Sequence, residues 1–140
     1  MPPEHLLSGV VVVDFTQFLA GPSVSQAMAE LGAEVIKVES APTGDPGRYL
    51  PLQRDGRSGY FVQQNTAKES LFVDLRHADG KALVNQLLQR ADVLVENFSP
   101  GVIDKPGFGW DAVHALNPRL VMASVSALGQ DGPLAKTPGF

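Results

Sequence analysis

Four valines, Val10 to Val13, lead into the stretch DFTQFLAGP, and Gly21-Pro22 then opens SVSQAMAELGA. A strand that ends in a short loop before a helix offers a ligand unpaired main-chain N–H groups and the positive end of the helix dipole. Gly21 permits close backbone approach, and Pro22 suits a first helical turn. The loop carries neither GxGxxG nor GxxxxGK[ST], so a dinucleotide or nucleoside-triphosphate fingerprint is missing. Taken alone, it is a structural turn. A second group is Asn97-Phe98 in ENFSPG. Its amide both donates and accepts, and its ring offers a flat surface to another ring. Taken alone, it reads as an Asn turn beside a core Phe. Lys37, Arg48, Lys68, Lys105 and Lys136 stand at strand ends or in loops, where cations suit a phosphate-bearing ligand, although singly each reads as a solvated charge. His5, His77 and His114 have no neighbours at ligand spacing, so neither a metal site nor a Ser-His pair is expected. Asp74 and Asp79, in DLRHADG, suit caps and turns better than acid–base work.

The chain as a whole narrows the classes. Its 140 residues make one domain's worth of sequence. A net charge of −4, with no basic block, argues against nucleic-acid binding. Without cysteine there is no disulfide, thiol nucleophile or thiolate metal site. No apolar run reaches membrane-span length and no signal-peptide pattern opens the chain, so a cytoplasmic protein is expected. The chain ends at KTPGF, inside a loop, and is expected to be a fragment of something longer.

The elements that must position these residues alternate. Gly9–Phe15 is an apolar β-branched run, the pattern of a parallel strand covered on both faces. Ser23–Ala33 places Val24, Ala27, Met28 and Leu31 at helical spacing, with Gly32 as a stop. Glu34–Ser40 predicts a second strand. Residues 41–60, dense in Gly and Pro, predict a long loop of the kind that carries function. Ser70–Leu75 predicts a strand, His77–Ala91 an amphipathic helix, Asp92–Phe98 a strand, Gly109–Pro118 a short helix and Arg119–Leu128 a strand. The class is therefore α/β. Ligands in such sheets gather beyond the C-terminal strand ends, so residues 16–22, 40–48 and 97–105 are predicted to share one side.

Taken in order, LSGVVVVDFTQFLAGP, LGAEVIKVE, GDPGR, KESLFVDLRHADGKALVNQLLQRADVLVENFSPGV, GFGWDAVHALNPRLVMASVSALGQDGP and PGF say more than any one motif. Together, over Leu7–Phe140, they closely resemble the N-terminal part of the family III CoA-transferases, which include formyl-CoA transferase, carnitine CoA-transferases and the α-methylacyl-CoA racemases. The resemblance implies a Rossmann-like, mostly parallel sheet flanked by helices, forming residues 1–140 of a large domain. It also implies an interlocked homodimer, with the small domain and C-terminal segment absent. Coenzyme A, carried as acyl-CoA substrate, lies across the C-terminal side of the sheet in that family, and no metal takes part. Gln17, Phe18, Leu19 and Ala20 match the loop beside the thioester. Ser40 matches a position, often Arg, at the nucleotide end. Thr66 and Lys68 match a block that usually carries two basic residues, one of them reversed here by Glu69. Asn97 and Phe98 match residues that line the coenzyme, and Lys105 matches a basic phosphate-side position.

The chemistry implied is transfer of CoA from an acyl-CoA to a carboxylic acid. An Asp expected beyond Phe140 attacks the thioester, a mixed anhydride forms as CoA leaves, and the acceptor takes over the CoA through an aspartyl-CoA thioester. One hard exchange becomes several easier ones. N–H groups of the Gln17–Ala20 loop would stabilise the oxyanion. The racemase branch places a His where this chain has Phe140, which carries no proton, so the resemblance favours a transferase over a racemase. Leu19 replaces a Gln of formyl-CoA transferases and points to larger or less polar acids. The third alternative is a non-catalytic piece that supplies only fold and dimer surface.

Overall fold

The computed structural model describes residues 5–139. In chain order the elements are β1 (Val11–Asp14), α1 (Ala20–Glu30), β2 (Glu34–Ser40), a 3₁₀ turn (Pro46–Tyr49), β3 (Gln53–Arg54), β4 (Arg57–Ser58), α2 (Gly59–Asn65), β5 (Glu69–Val73), α3 (Ala78–Leu88), β6 (Val93–Glu96), α4 (Trp110–Leu116) and β7 (Val121–Ser124). Five strands form a parallel sheet in the order β5-β2-β1-β6-β7. The chain works outward from β1 in one direction, then crosses to β6 on the other side. The crevice between the C-terminal ends of β1 and β6 is thus a topological switch point.

The valine run explains the two layers. Successive side chains of a strand point to opposite faces. Val13 joins Val84, Leu88, Leu94 and Val113 on the face covered by α3 and α4. Val12 joins Val35 and Val95 on the face covered by α1, with Met28 and Ala29 packed against them. The same alternation continues past the apolar residues. Asp14 follows Val12, and Lys37 and Glu39 follow Val35, so the α1 face turns ionic toward the C-terminal strand ends. All three charged side chains are buried.

Four expectations are corrected. Helix α1 begins at Ala20 rather than Ser23, and it buries Gly21, Pro22 and Ser25. Val24 and Leu31, expected on an apolar face, are 40% and 45% exposed. Small residues face the sheet because the helix lies close to it: a Cβ on Gly21 would run into the Thr16 side chain and within 2.9 Å of the Asn97 Cγ. The predicted loop 41–60 contains the 3₁₀ turn, the β3–β4 hairpin and the start of α2. Its hairpin signal was Asp55-Gly56, both at positive φ, as a two-residue type I′ turn requires. The last strand covers only Val121–Ser124, not Arg119–Leu128, because past Ser124 a single bond from Val125 N–H to Glu96 O ends the ladder.

Candidate functional site

The loop after β1 is held group by group. Asp14 Oδ1 accepts from Thr16 N–H at 2.7 Å and from the Thr16 hydroxyl at 2.5 Å. Lys37 Nζ, from β2, donates to Thr16 O at 2.7 Å. The Asn97 side chain, just past β6, accepts from Gln17 N–H at 2.7 Å and donates to Gln17 O at 2.8 Å. Asp45 Oδ1 accepts from Phe18 N–H at 3.2 Å and Gly47 N–H at 2.8 Å, while its Oδ2 pairs with Lys37 Nζ at 2.9 Å. Phe18 has φ +62°, the left-handed region, which a bulky residue adopts only where its surroundings over-determine it. The N–H groups of Leu19, Ala20 and Gly21 at the start of α1 have no hydrogen-bond partner among the described residues.

Beneath the loop lies a second buried pair. Lys68 Nζ contacts Asp14 Oδ2 at 3.0 Å, Pro22 O at 2.9 Å and Asn65 Oδ1 at 2.9 Å. Burial pulls the Lys68 ammonium below its usual range, and the Asp14 carboxylate opposes that pull. On β2, burial alone would raise Glu39. Hydrogen bonds from Arg48, Ser70 and the Asp45 N–H outweigh it and bring Glu39 down to about 2. Arg48 grips Glu39 with Nε at 2.6 Å and a second nitrogen at 2.5 Å, and its guanidinium lies 3.9 Å from the Phe61 ring centroid. Burial raises the Glu96 carboxyl, which accepts from Phe98 N–H at 2.8 Å.

Two of the cavities that open on this end of the sheet share Phe98. One, of about 290 Å³, is lined by Ala20, Asn97, Phe98, Ser126 and Thr137 among others. The other, of about 440 Å³, has apolar walls from Phe15, Leu75, Phe98, Val102, Ile103 and Pro106. Its polar lining is Gln17, Ser40, Arg76, Lys81 and Lys105. Lys81 and Lys105 form no ion pair among the described residues, whereas Arg76 forks onto the Asp74 carboxylate.

The sequence-predicted residues therefore divide. Gln17, Ser40, Phe98 and Lys105 meet in the larger cavity, and Ala20, Asn97 and Phe98 in the smaller. Leu19 is 50% exposed. Thr66 is exposed and spends its hydroxyl on Val62 O at the end of α2. Glu69, also exposed, opens β5. Lys68 has only 1% of its side chain exposed and spends all its donors inside the protein, so it presents no free charge to a ligand. Lys37 is equally buried, neither a solvated charge nor a ligand contact. The Asn97 amide is committed to Gln17 on both its donor and acceptor sides. Phe140 lies outside the described residues. Sequence reasoning missed Arg76 and Lys81. The rule that selected the loops after β1, β2 and β6 applies equally to the loop after β5, which had been read as a turn only. Among the described residues no His/Asp/Glu cluster is arranged to hold a metal, and no helix is long and apolar enough to cross a membrane.

Comparison with known proteins gives one consistent answer. The sequence profile of CoA-transferase family III matches residues 7–140. A succinyl-CoA–D-citramalate CoA-transferase of Chloroflexus aurantiacus is 43% identical over 139 residues, covering 99% of this chain and 35% of the relative. A formyl-CoA:oxalate CoA-transferase of Streptomyces avermitilis is 44% identical over 128 residues, covering 91% and 31%. Among solved structures, a CAIB/BAIF family protein from Brucella suis superimposes with TM-score 0.90 at 39% identity, covering 99% of this chain and 38% of that one. The chain thus spans about a third of the length of the curated relatives it matches. With a five-stranded parallel sheet and the family profile over nearly its whole length, the chain belongs to CoA-transferase family III.

Proposed function

We propose that this chain forms the coenzyme-binding part of an enzyme that moves coenzyme A from an acyl-CoA to a carboxylic acid. The observation that carries the reading is the larger cavity at the switch point, with apolar walls and Lys81, Lys105 and Arg76 on its rim. Apolar walls suit a purine ring, and cations suit phosphates. Across Phe98, the smaller cavity reaches the start of α1. The acyl thioester lies there, its carbonyl oxygen facing the unpaired N–H groups of Leu19 and Ala20. Gln17 to Ala20 and Asn97-Phe98 are the thioester-side residues, Ser40 and Lys105 the nucleotide-side ones.

The attacking carboxylate is an Asp supplied by the rest of the full-length protein. Its oxygen adds to the thioester carbonyl, the C–S bond breaks, and CoA leaves as thiolate. The thiolate then attacks the aspartyl carbonyl, releasing the donor acid and leaving an aspartyl-CoA thioester. The acceptor carboxylate displaces the thiolate to give a second anhydride. The thiolate takes the acceptor's acyl carbon and regenerates Asp. The 140 residues alone carry out no turnover. Phe140 in place of a proton-carrying His favours transfer over racemisation. A cytoplasmic, interlocked homodimer is part of the same reading, on the family resemblance.

The test is full-length protein incubated with succinyl-CoA and a panel of carboxylic acids, with new thioesters detected by mass spectrometry. A new acyl-CoA that depends on the acid is expected. Binding of CoA without any exchange, or racemisation of a 2-methylacyl-CoA instead, would overturn it.

A further inference from the structure

Three consecutive residues of the β1–α1 loop are each gripped by a different part of the fold. Lys37 Nζ holds Thr16 O at 2.7 Å. Asn97 holds both main-chain groups of Gln17. Asp45 accepts from Phe18 N–H at 3.2 Å. Asp45 and Lys37 are themselves a pair at 2.9 Å, each side chain 1% exposed. The Asp45 carboxylate is in turn braced: Gly47 N–H donates to it, and its own N–H donates to Glu39 Oε2 at 3.1 Å. Space is made for it by Gly47, where a Cβ would sit 3.1 Å from Asp45 Oδ1. Neither Lys37 nor Asp45 lines either cavity described above.

We propose that Asp45, with Lys37, is a positioning residue. The pair locks Thr16–Phe18 into a path that places the unpaired N–H groups of Leu19 and Ala20 against the thioester. The inference rests on the CoA-transfer reading for its consequence, but not for its geometry. Phe18 at φ +62° is the mark of the lock. A bulky residue leaves that region when its restraints are removed. Donors that stabilise an oxyanion must be fixed before the charge develops, so a loosened loop costs transition-state stabilisation far more than coenzyme binding. The clamp also joins the GDPGR turn to the loop after β1, although 27 residues separate Phe18 from Asp45.

Two measurements on the full-length protein test it. In the wild type, amide hydrogen exchange should show Gln17 and Phe18 protected by roughly a hundredfold, with Leu19 and Ala20 close to unprotected. Fast exchange at Phe18 overturns the clamp. The second compares the Lys37→Met/Asp45→Ala double variant, which removes both charges together, with Lys37→Gln/Asp45→Asn, which keeps an acceptor for Phe18 N–H. The first should lose about tenfold or more in kcat with its CoA dissociation constant changed less than about threefold, and Phe18 exchange should accelerate. The second should regain most of kcat. Normal turnover in the first variant, or coenzyme binding lost in step with kcat, overturns the proposal. If the first variant does not fold, the wild-type exchange pattern decides. If the wild type transfers no CoA at all, the transfer reading fails, and the exchange pattern still decides the clamp.

Discussion

Two sets of cations sit at the same end of the sheet and live by different rules. Lys37 and Lys68 lie under the β1–α1 loop, each with 1% of its side chain exposed, and each spends its ammonium on a carboxylate and main-chain oxygens. Lys81, Lys105 and Arg76 line the larger cavity, and the two lysines among them pair with no carboxylate among the described residues. Desolvation makes the difference. A buried ammonium must be neutralised where it lies, so it becomes a fastener. A cation on an open rim keeps its hydration until a ligand replaces it, so it can recognise an anion. Nearness to a strand end therefore does not identify a ligand contact, whereas exposure together with an unspent charge does.

The largest effect should come from breaking a fastener. Lys68→Met leaves Asp14 buried and uncompensated, at a cost of about 3–5 kcal/mol. Urea unfolding of the full-length protein should show that loss, and a change below about 1 kcal/mol would mean that water reaches Asp14. Asn97→Ala comes next. It strips both main-chain groups of Gln17 of their partner, so a loss of about 1–3 kcal/mol is expected, with a fall in kcat that added coenzyme does not restore. If only coenzyme affinity falls, Asn97 acts on the ligand directly.

Acid sharpens the comparison at a pair in which the carboxylate is buried and the arginine partly exposed. Glu39 is held at about 2, below its usual 4.5. Its contribution is therefore complete above pH 4.5 and is lost as pH falls from there to about 2. Arg48 is 40% exposed, so solvent screening reduces the pair's worth. Arg48→Met should cost about 1–2 kcal/mol at neutral pH and flatten the acid unfolding curve over that window. The smallest change in stability should come from the rim. Lys81→Ala and Lys105→Ala should each alter stability by less than about 0.5 kcal/mol, yet weaken CoA binding by roughly tenfold in calorimetry. Unchanged affinity in both would remove the rim from the ligand site.

Much of the scaffold was legible beforehand because it is written in periodicity. The valine run, the α3 pattern and the breakers at Asn117-Pro118 announce their elements locally. The hairpin around Asp55-Gly56 was legible too, but was absorbed into a Gly- and Pro-rich loop. Helix α1 misled for a physical reason. Of its apolar stripe Met28 packs on the core, while Val24, Ala27 and Leu31 stay exposed, since Gly21 and Ser25 let it approach a sheet that is ionic at that end. Among the site residues, Phe98 and Lys105 line the larger cavity, while the Lys68 charge is buried against Asp14 and offers nothing to a ligand.

The sequence by itself determined the α/β class, the family, and the three loops that meet at the switch point, since these follow from alternating elements and from motifs in fixed order. Only the tertiary structure decided which charges are spent and which are available. Asp14 meets Lys68 across 54 residues, and Asn97 meets Gln17 across 80. No local pattern records such pairings, because the energy that makes them is the cost of burying a charge or a main-chain group alone, and that cost arises only when the layers close.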